Sequence, residues 1–100
     1  MNALYIPETD DNPKVILDKE KNHFEISGQS IPEDVSAFFK PVLDWLRDYS
    51  ADPLSETTMD LKLSYFNTAS SKLLLDIFML LEELPDSRQR VLINWHYPVY

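Results

Sequence analysis

The chain predicts a mixed α/β fold, and three patterns carry that expectation. Met59, Leu61, Leu63 and Tyr65 alternate with Asp60, Lys62 and Ser64, the two-residue period of a strand with one buried face. Leu73, Leu74, Ile77, Phe78, Leu81 and Leu84 then recur at helical spacing. Upstream, short apolar runs follow one another so closely that only tight turns can join them.

Taken in order, Ala3-Leu4-Tyr5-Ile6 is a first strand, stopped by Pro7 and the polar run Glu8 to Asn12. Lys14 to Asp18 is a second and His23 to Ser27 a third, with Phe24 and Ile26 alternating. Lys19-Glu20-Lys21-Asn22 separates them as a hairpin turn, in which Asn22 tolerates positive φ. Gly28, the only glycine, is expected to close the third strand. Ser30 is expected to cap a helix that carries Pro32, Glu33 and Asp34 in its first turn. Val35, Phe38, Val42, Leu46 and Tyr49 give that helix one apolar stripe. Pro41 in its interior predicts a kink or a tightened turn. Trp45 falls outside the stripe and reads as a rim contact or an interface anchor.

Ala51 to Ser55 is a loop, followed by the strand Thr57 to Phe66 and a helix from Thr68 to about Leu84, ended by Pro85. Asp86 to Arg90 is a polar connection, and Val91 to Tyr97 a last strand that sends Trp95 and Tyr97 to the core. The order is β-β-β-α-β-α-β. Strands joined by a tight turn pair antiparallel, and strands joined through a helix pair parallel. The expectation is a mixed sheet with both helices on one face.

Composition narrows the function. Seventeen acidic against nine basic side chains give a formal charge of −8, which makes nucleic acid and anionic membranes poor partners. Without cysteine there is no disulfide framework, thiol nucleophile or Cys-type zinc site. His23 and His96 stand alone, without a neighbouring ligand motif, so no metal and no cofactor is expected. A single glycine leaves no phosphate-cradling loop, so the chain is not expected to be an enzyme. No signal peptide is visible at the N-terminus, and the apolar segment Leu73 to Leu84 is too short to span a bilayer. The expected location is the cytoplasm.

The chemistry concentrates at Tyr65-Phe66-Asn67-Thr68-Ala69-Ser70-Ser71-Lys72, where a strand hands over to a helix. Unpaired backbone N–H groups and the positive end of the helix dipole favour a negative group there. A phosphate on Thr68, Ser70 or Ser71 would be well placed. Thr68 and Asn67 are also both good N-caps, so capping alone explains either residue. The second helix is apolar nearly all round. Leu74, Ile77, Phe78 and Leu81 suffice for a buried stripe, which leaves Leu75, Met79 and Leu80 as a surplus.

Four separated segments carry a family resemblance: Met1 to Pro7, Ser30-Ile31-Pro32-Glu33-Asp34, Tyr65 to Lys72, and Val91-Leu92-Ile93-Asn94-Trp95-His96-Tyr97. Together they resemble the SiaC-type bacterial regulatory phosphoproteins, which are similar in fold to the STAS-like anti-sigma-factor antagonists. The resemblance implies one STAS-like domain over residues 1–100 that stops short of the family's C-terminal helical segment. It also implies partner switching. A histidine-kinase-like protein kinase phosphorylates the protein and a PP2C-type phosphatase reverses this. The unphosphorylated form binds and activates a target such as a diguanylate cyclase, within cyclic di-GMP signalling and biofilm regulation. The family's acceptor threonine falls on Thr68, with Ser70 and Ser71 as alternatives. Asn67, Lys72, Leu75, Met79 and Leu80 are the expected partner-binding residues. The competing expectation is a constitutive interaction or dimerisation module without phosphoregulation.

Overall fold

Val15 and Leu17, Phe24 and Ile26, and Met59, Leu61 and Leu63 form alternating rows on three neighbouring strands. Pairing sets Val15 opposite Ile26, Leu17 opposite Phe24, Phe24 opposite Met59, and Ile26 opposite Leu61. Apolar side chains therefore meet on one face, and all seven are buried. Removing each from water stabilises the fold by about 1.5–3 kcal/mol.

The computed structural model describes residues 2–83 and 90–96. Its elements are β1 (Leu4–Ile6), β2 (Lys14–Asp18), β3 (His23–Ser30), α1 (Val35–Tyr49), β4 (Glu56–Phe66), α2 (Thr68–Glu82) and β5 (Arg90–Trp95). The five strands form one sheet in chain order. β1–β2 and β2–β3 pair antiparallel, and β3–β4 and β4–β5 pair parallel. The expected element order and the expected mixed pairing both hold. Asn22 has φ 49° in the β2–β3 turn, where its N–H donates to Lys19 O.

Both helices pack on the apolar face and on each other. Phe39, Val42, Leu43, Leu46 and Tyr49 of α1 and Leu74, Ile77 and Leu81 of α2 complete the core. Trp45 corrects the expectation of a rim residue, for it is 9% exposed. Its ring stacks on Tyr49 at 5.4 Å and meets Phe24 edge-on at 5.8 Å, while its indole N–H donates to Asn2 O. Trp45 lies three residues after Val42 and four before Tyr49, so it borders the stripe and its ring closes over the core edge. α1 runs without interruption through Pro41, which lies on its exposed side.

The cap of α1 also differs from expectation. Asp34, with extended backbone, accepts from the N–H of Ala37 at 3.1 Å and is the N-cap. Ser30 is instead the buried last residue of β3, so the strand does not end at Gly28. Gly28 has φ +100°, and a Cβ there would run into the Glu8 carboxylate, so both conformation and space call for glycine. The ladder shifts register at this point: Gly28 pairs with Leu63, but Gln29 pairs with Tyr65. Ser64 is thus an extra residue on β4, a bulge. The bulge exchanges the faces beyond it. Phe66 packs at the core edge, edge-to-face with Trp95 at 5.7 Å, while Tyr65 is 57% exposed. The expected burial of Tyr65 is therefore overturned. Trp95 packs against the core as expected; Tyr97, Leu84, Pro85 and the connection Asp86 to Gln89 lie outside the described residues.

The other face of the sheet carries no helix among the described residues. Parallel strands are ordinarily covered on both sides. Here charge takes that place. Glu25 and Asp60 are direct register neighbours, a like-charge pair that would repel. Lys14 and Lys62 lie 3.1 and 3.6 Å from Glu25 carboxylate oxygens, and Ser27 donates to the same group. Burial disfavours the Glu25 charge, but hydrogen bonds from Lys14, Ser27 and His23 outweigh it and hold the carboxyl down at about 2. Asn94 donates to Asp60 at 3.2 Å, and His96 lies 3.5 Å from the same oxygen.

Candidate functional site

β1, β3, β4 and β5 all run the same way, so their carboxyl ends meet at one edge of the molecule. α2 begins there, directly after β4. Asn67 makes the start: its extended backbone ends the strand, and its side-chain Oδ1 accepts from the N–H of Ser70 at 2.7 Å. Its carbonyl accepts the first helical bond, from the N–H of Ser71, and its own N–H donates to Ser30 O. Asn67 rather than Thr68 is therefore the N-cap.

Ser70 is fully buried. Its hydroxyl donates to Ser30 O at 3.0 Å and accepts from the Ser30 hydroxyl at 2.9 Å. Both hydroxyls are saturated at the β3–α2 contact, and an enzyme could reach Ser70 only by opening it. This corrects Ser70 as an accessible acceptor. The Ser71 hydroxyl, half-buried, donates to Thr68 O at 2.6 Å.

Thr68 is different. It is the first residue of α2, it is exposed, and its hydroxyl makes no hydrogen bond among the described residues. The first turn of α2 contains no acidic residue, so no fixed carboxylate occupies the positive end of the helix. Lys72, Leu75 and Met79 follow Thr68 at intervals of four, three and four residues, the spacing of one helix face. Leu75 is 56% and Met79 50% exposed. Leu80 belongs elsewhere: it is half-buried and packs against the core, as do Leu73 and Phe78.

Tyr65, at the end of β4 and three residues before Thr68, is exposed. Sequence reading missed it because strict alternation sends it inward; only the glycine-linked register shift turns it out. The expected residues Thr68, Lys72, Leu75 and Met79 are thus brought together, Asn67 serves them as a cap, and Leu80 is turned away. Among the described residues no group of three or more His, Cys, Asp or Glu side chains is arranged to hold a metal ion, and no helix is long and apolar enough to cross a membrane.

Comparison with known proteins adds an independent finding. A family model described as SiaC family regulatory phosphoprotein matches residues 6–99. An uncharacterized protein of Pseudomonas aeruginosa (strain UCBPP-PA14) is 36% identical over 97 residues, covering 97% of this chain and 77% of that protein. The crystal structure of apo-SiaC from Pseudomonas aeruginosa superimposes with a TM-score of 0.90 at 36% identity, over 98% of this chain and 81% of that one. A chain in the crystal structure of the diguanylate cyclase SiaD in complex with its activator SiaC, from the same species, matches with a TM-score of 0.86 at 36% identity. That match covers 94% of this chain and 77% of the other.

Proposed function

Because the chain belongs to the SiaC family of regulatory phosphoproteins, we propose that it is a non-enzymatic, cytoplasmic switch in which phosphorylation of Thr68 controls docking of a partner on the exposed face of α2. The unphosphorylated form binds and activates a target. A diguanylate cyclase is the favoured target, since SiaC is the activator of the cyclase SiaD in the similar structure. A histidine-kinase-like protein kinase transfers the terminal phosphoryl group of ATP to Thr68 Oγ1, with loss of the hydroxyl proton. A PP2C-type phosphatase returns the threonine by hydrolysis, releasing inorganic phosphate.

One observation carries this reading: Thr68 alone among the three hydroxyls of the first turn is both exposed and unengaged among the described residues, and it shares a face with Leu75 and Met79. Phosphate adds about −1.5 to −2 charges and a large hydration shell to the face that carries Lys72, Leu75 and Met79. Docking is lost without any rearrangement of the fold. The test is phosphopeptide mapping by mass spectrometry after incubation with a cognate kinase and ATP. Phosphate on Thr68 is the expected result; an unmodified 67–72 segment would leave a constitutive interaction module as the reading.

A further inference from the structure

Lys72 lies one helical turn after Thr68, at the i, i+4 separation that brings two side chains together on a helix surface. It is the only cation in α2, and it is exposed. Lys14, Lys19, Lys40, Arg47, Lys62 and Arg90 each lie 2.8–3.9 Å from a carboxylate oxygen, whereas Lys72, like Lys21 in the β2–β3 turn, has no such partner among the described residues.

The other polar groups of the first turn are already engaged. Asn67 Oδ1 holds the N–H of Ser70, the Ser70 hydroxyl is bound to Ser30, and the Ser71 hydroxyl donates to Thr68 O. No acidic side chain lies in that turn, and Asp76, four residues after Lys72, makes no ion pair with it among the described residues. A phosphate on Thr68 Oγ1 therefore meets one free charged donor, the Lys72 ammonium, beside the N–H groups that a helix start leaves unbonded.

We propose that Lys72 is the internal counter-charge of the switch: its ammonium captures the Thr68 phosphate, and this capture withdraws the sole cation of α2 from the partner. The inference rests on Thr68 being the modified residue. It specifies the partner's chemistry at this end of α2, an acidic group opposite Lys72 beside an apolar patch against Leu75 and Met79. Before modification Lys72 itself carries +1 and Asp76, four residues on, −1. Afterwards lysine and phosphate together carry about −1. The acidic group of the partner loses its attraction and meets repulsion instead.

The test uses three proteins with phosphothreonine installed at position 68 during synthesis, carrying Lys72, Lys72→Arg or Lys72→Gln. The second ionisation of the phosphate is followed by ³¹P NMR at low salt. The lysine and arginine proteins are expected to ionise at lower pH than the glutamine protein, by about 0.3 units or more. Coincident titrations of all three would overturn the inference. Lys72 is exposed and holds no ion pair among the described residues, so the variants keep the fold, which amide NMR spectra verify. The installed phosphate needs no kinase. A failure of Thr68 to be modified by the kinase, which would defeat the functional reading, is therefore told apart from a failure of Lys72 to hold the phosphate.

Discussion

Ser30 and Ser70, 40 residues apart in sequence, form a closed buried pair in which the Ser30 hydroxyl donates to Ser70 and the Ser70 hydroxyl donates back to the Ser30 carbonyl. That carbonyl also accepts the N–H of Asn67. The end of β3 thereby fixes the cap and first turn of α2, and with them the direction in which Thr68 faces. Ser70→Ala should lower stability by about 1–3 kcal/mol, because the Ser30 hydroxyl is left buried without its acceptor. Urea unfolding measures this, and a variant as stable as the parent would mean that the pair contributes nothing.

Thr68 supports a paired prediction. Thr68→Ala should keep partner binding, since Thr68 is neither cap nor core, whereas Thr68→Asp should weaken it by about tenfold, or ~1.4 kcal/mol. Titration calorimetry against the proposed partner, a diguanylate cyclase, reads both. Equal affinities would refute charge as the basis of the switch.

The exposed face of α2 separates from its core face by experiment. Tyr65→Ala, Leu75→Ser and Met79→Ser should each cost about 1 kcal/mol or more of partner affinity while changing fold stability by less than about 0.5 kcal/mol. Leu80→Ser, at a half-buried position, should show the reverse pattern of lost stability. Thermal melts run beside the binding assays supply the comparison.

Glu25 predicts an acid limb. Its folded-state value, about 2, lies below the ordinary 4.5, so its stabilisation is complete above 4.5 and is lost as pH falls from there through about 2. The size is on the order of 2–3 kcal/mol. Glu25→Gln should flatten the fall in stability over this range, measured by denaturant unfolding at a series of pH values. An unchanged slope would place the titrating group elsewhere.

The fold was legible wherever periodicity decides. Met59, Leu61 and Leu63 alternate because one face of β4 is dry, and Leu74, Ile77 and Leu81 recur because one face of α2 is. It was not legible where pairing between distant residues decides. The bulge at Ser64 depends on how β3 passes Gly28, and nothing within β4 announces that Tyr65 and Phe66 exchange faces. Ser30 carries the signature of a helix cap, yet its hydroxyl has a better partner in Ser70, and Asp34 four residues on takes the cap. Trp45, at i−4 from Tyr49, borders the stripe and stacks on that ring, a position that counting only the stripe's own members passes over. The hydroxyl cluster was legible as a strand-to-helix junction, and the structure has that junction between Phe66 and Thr68. Which hydroxyl is free was settled by the far end of another strand.

The layer formed by α1 and α2 has a consequence for genetics as well as for structure. Leu75 and Met79 look outward from the same turns of α2 whose inner side sets Leu74, Ile77 and Leu81 in the core, with no intervening layer. The wall of the core and the face proposed for the partner are one element, a single helix thick. A cavity made at Ile77 would let that helix settle and displace the outward side chains with it. Lesions of the interior in this small domain should therefore present first as signalling defects, at doses of damage that still leave the protein folded.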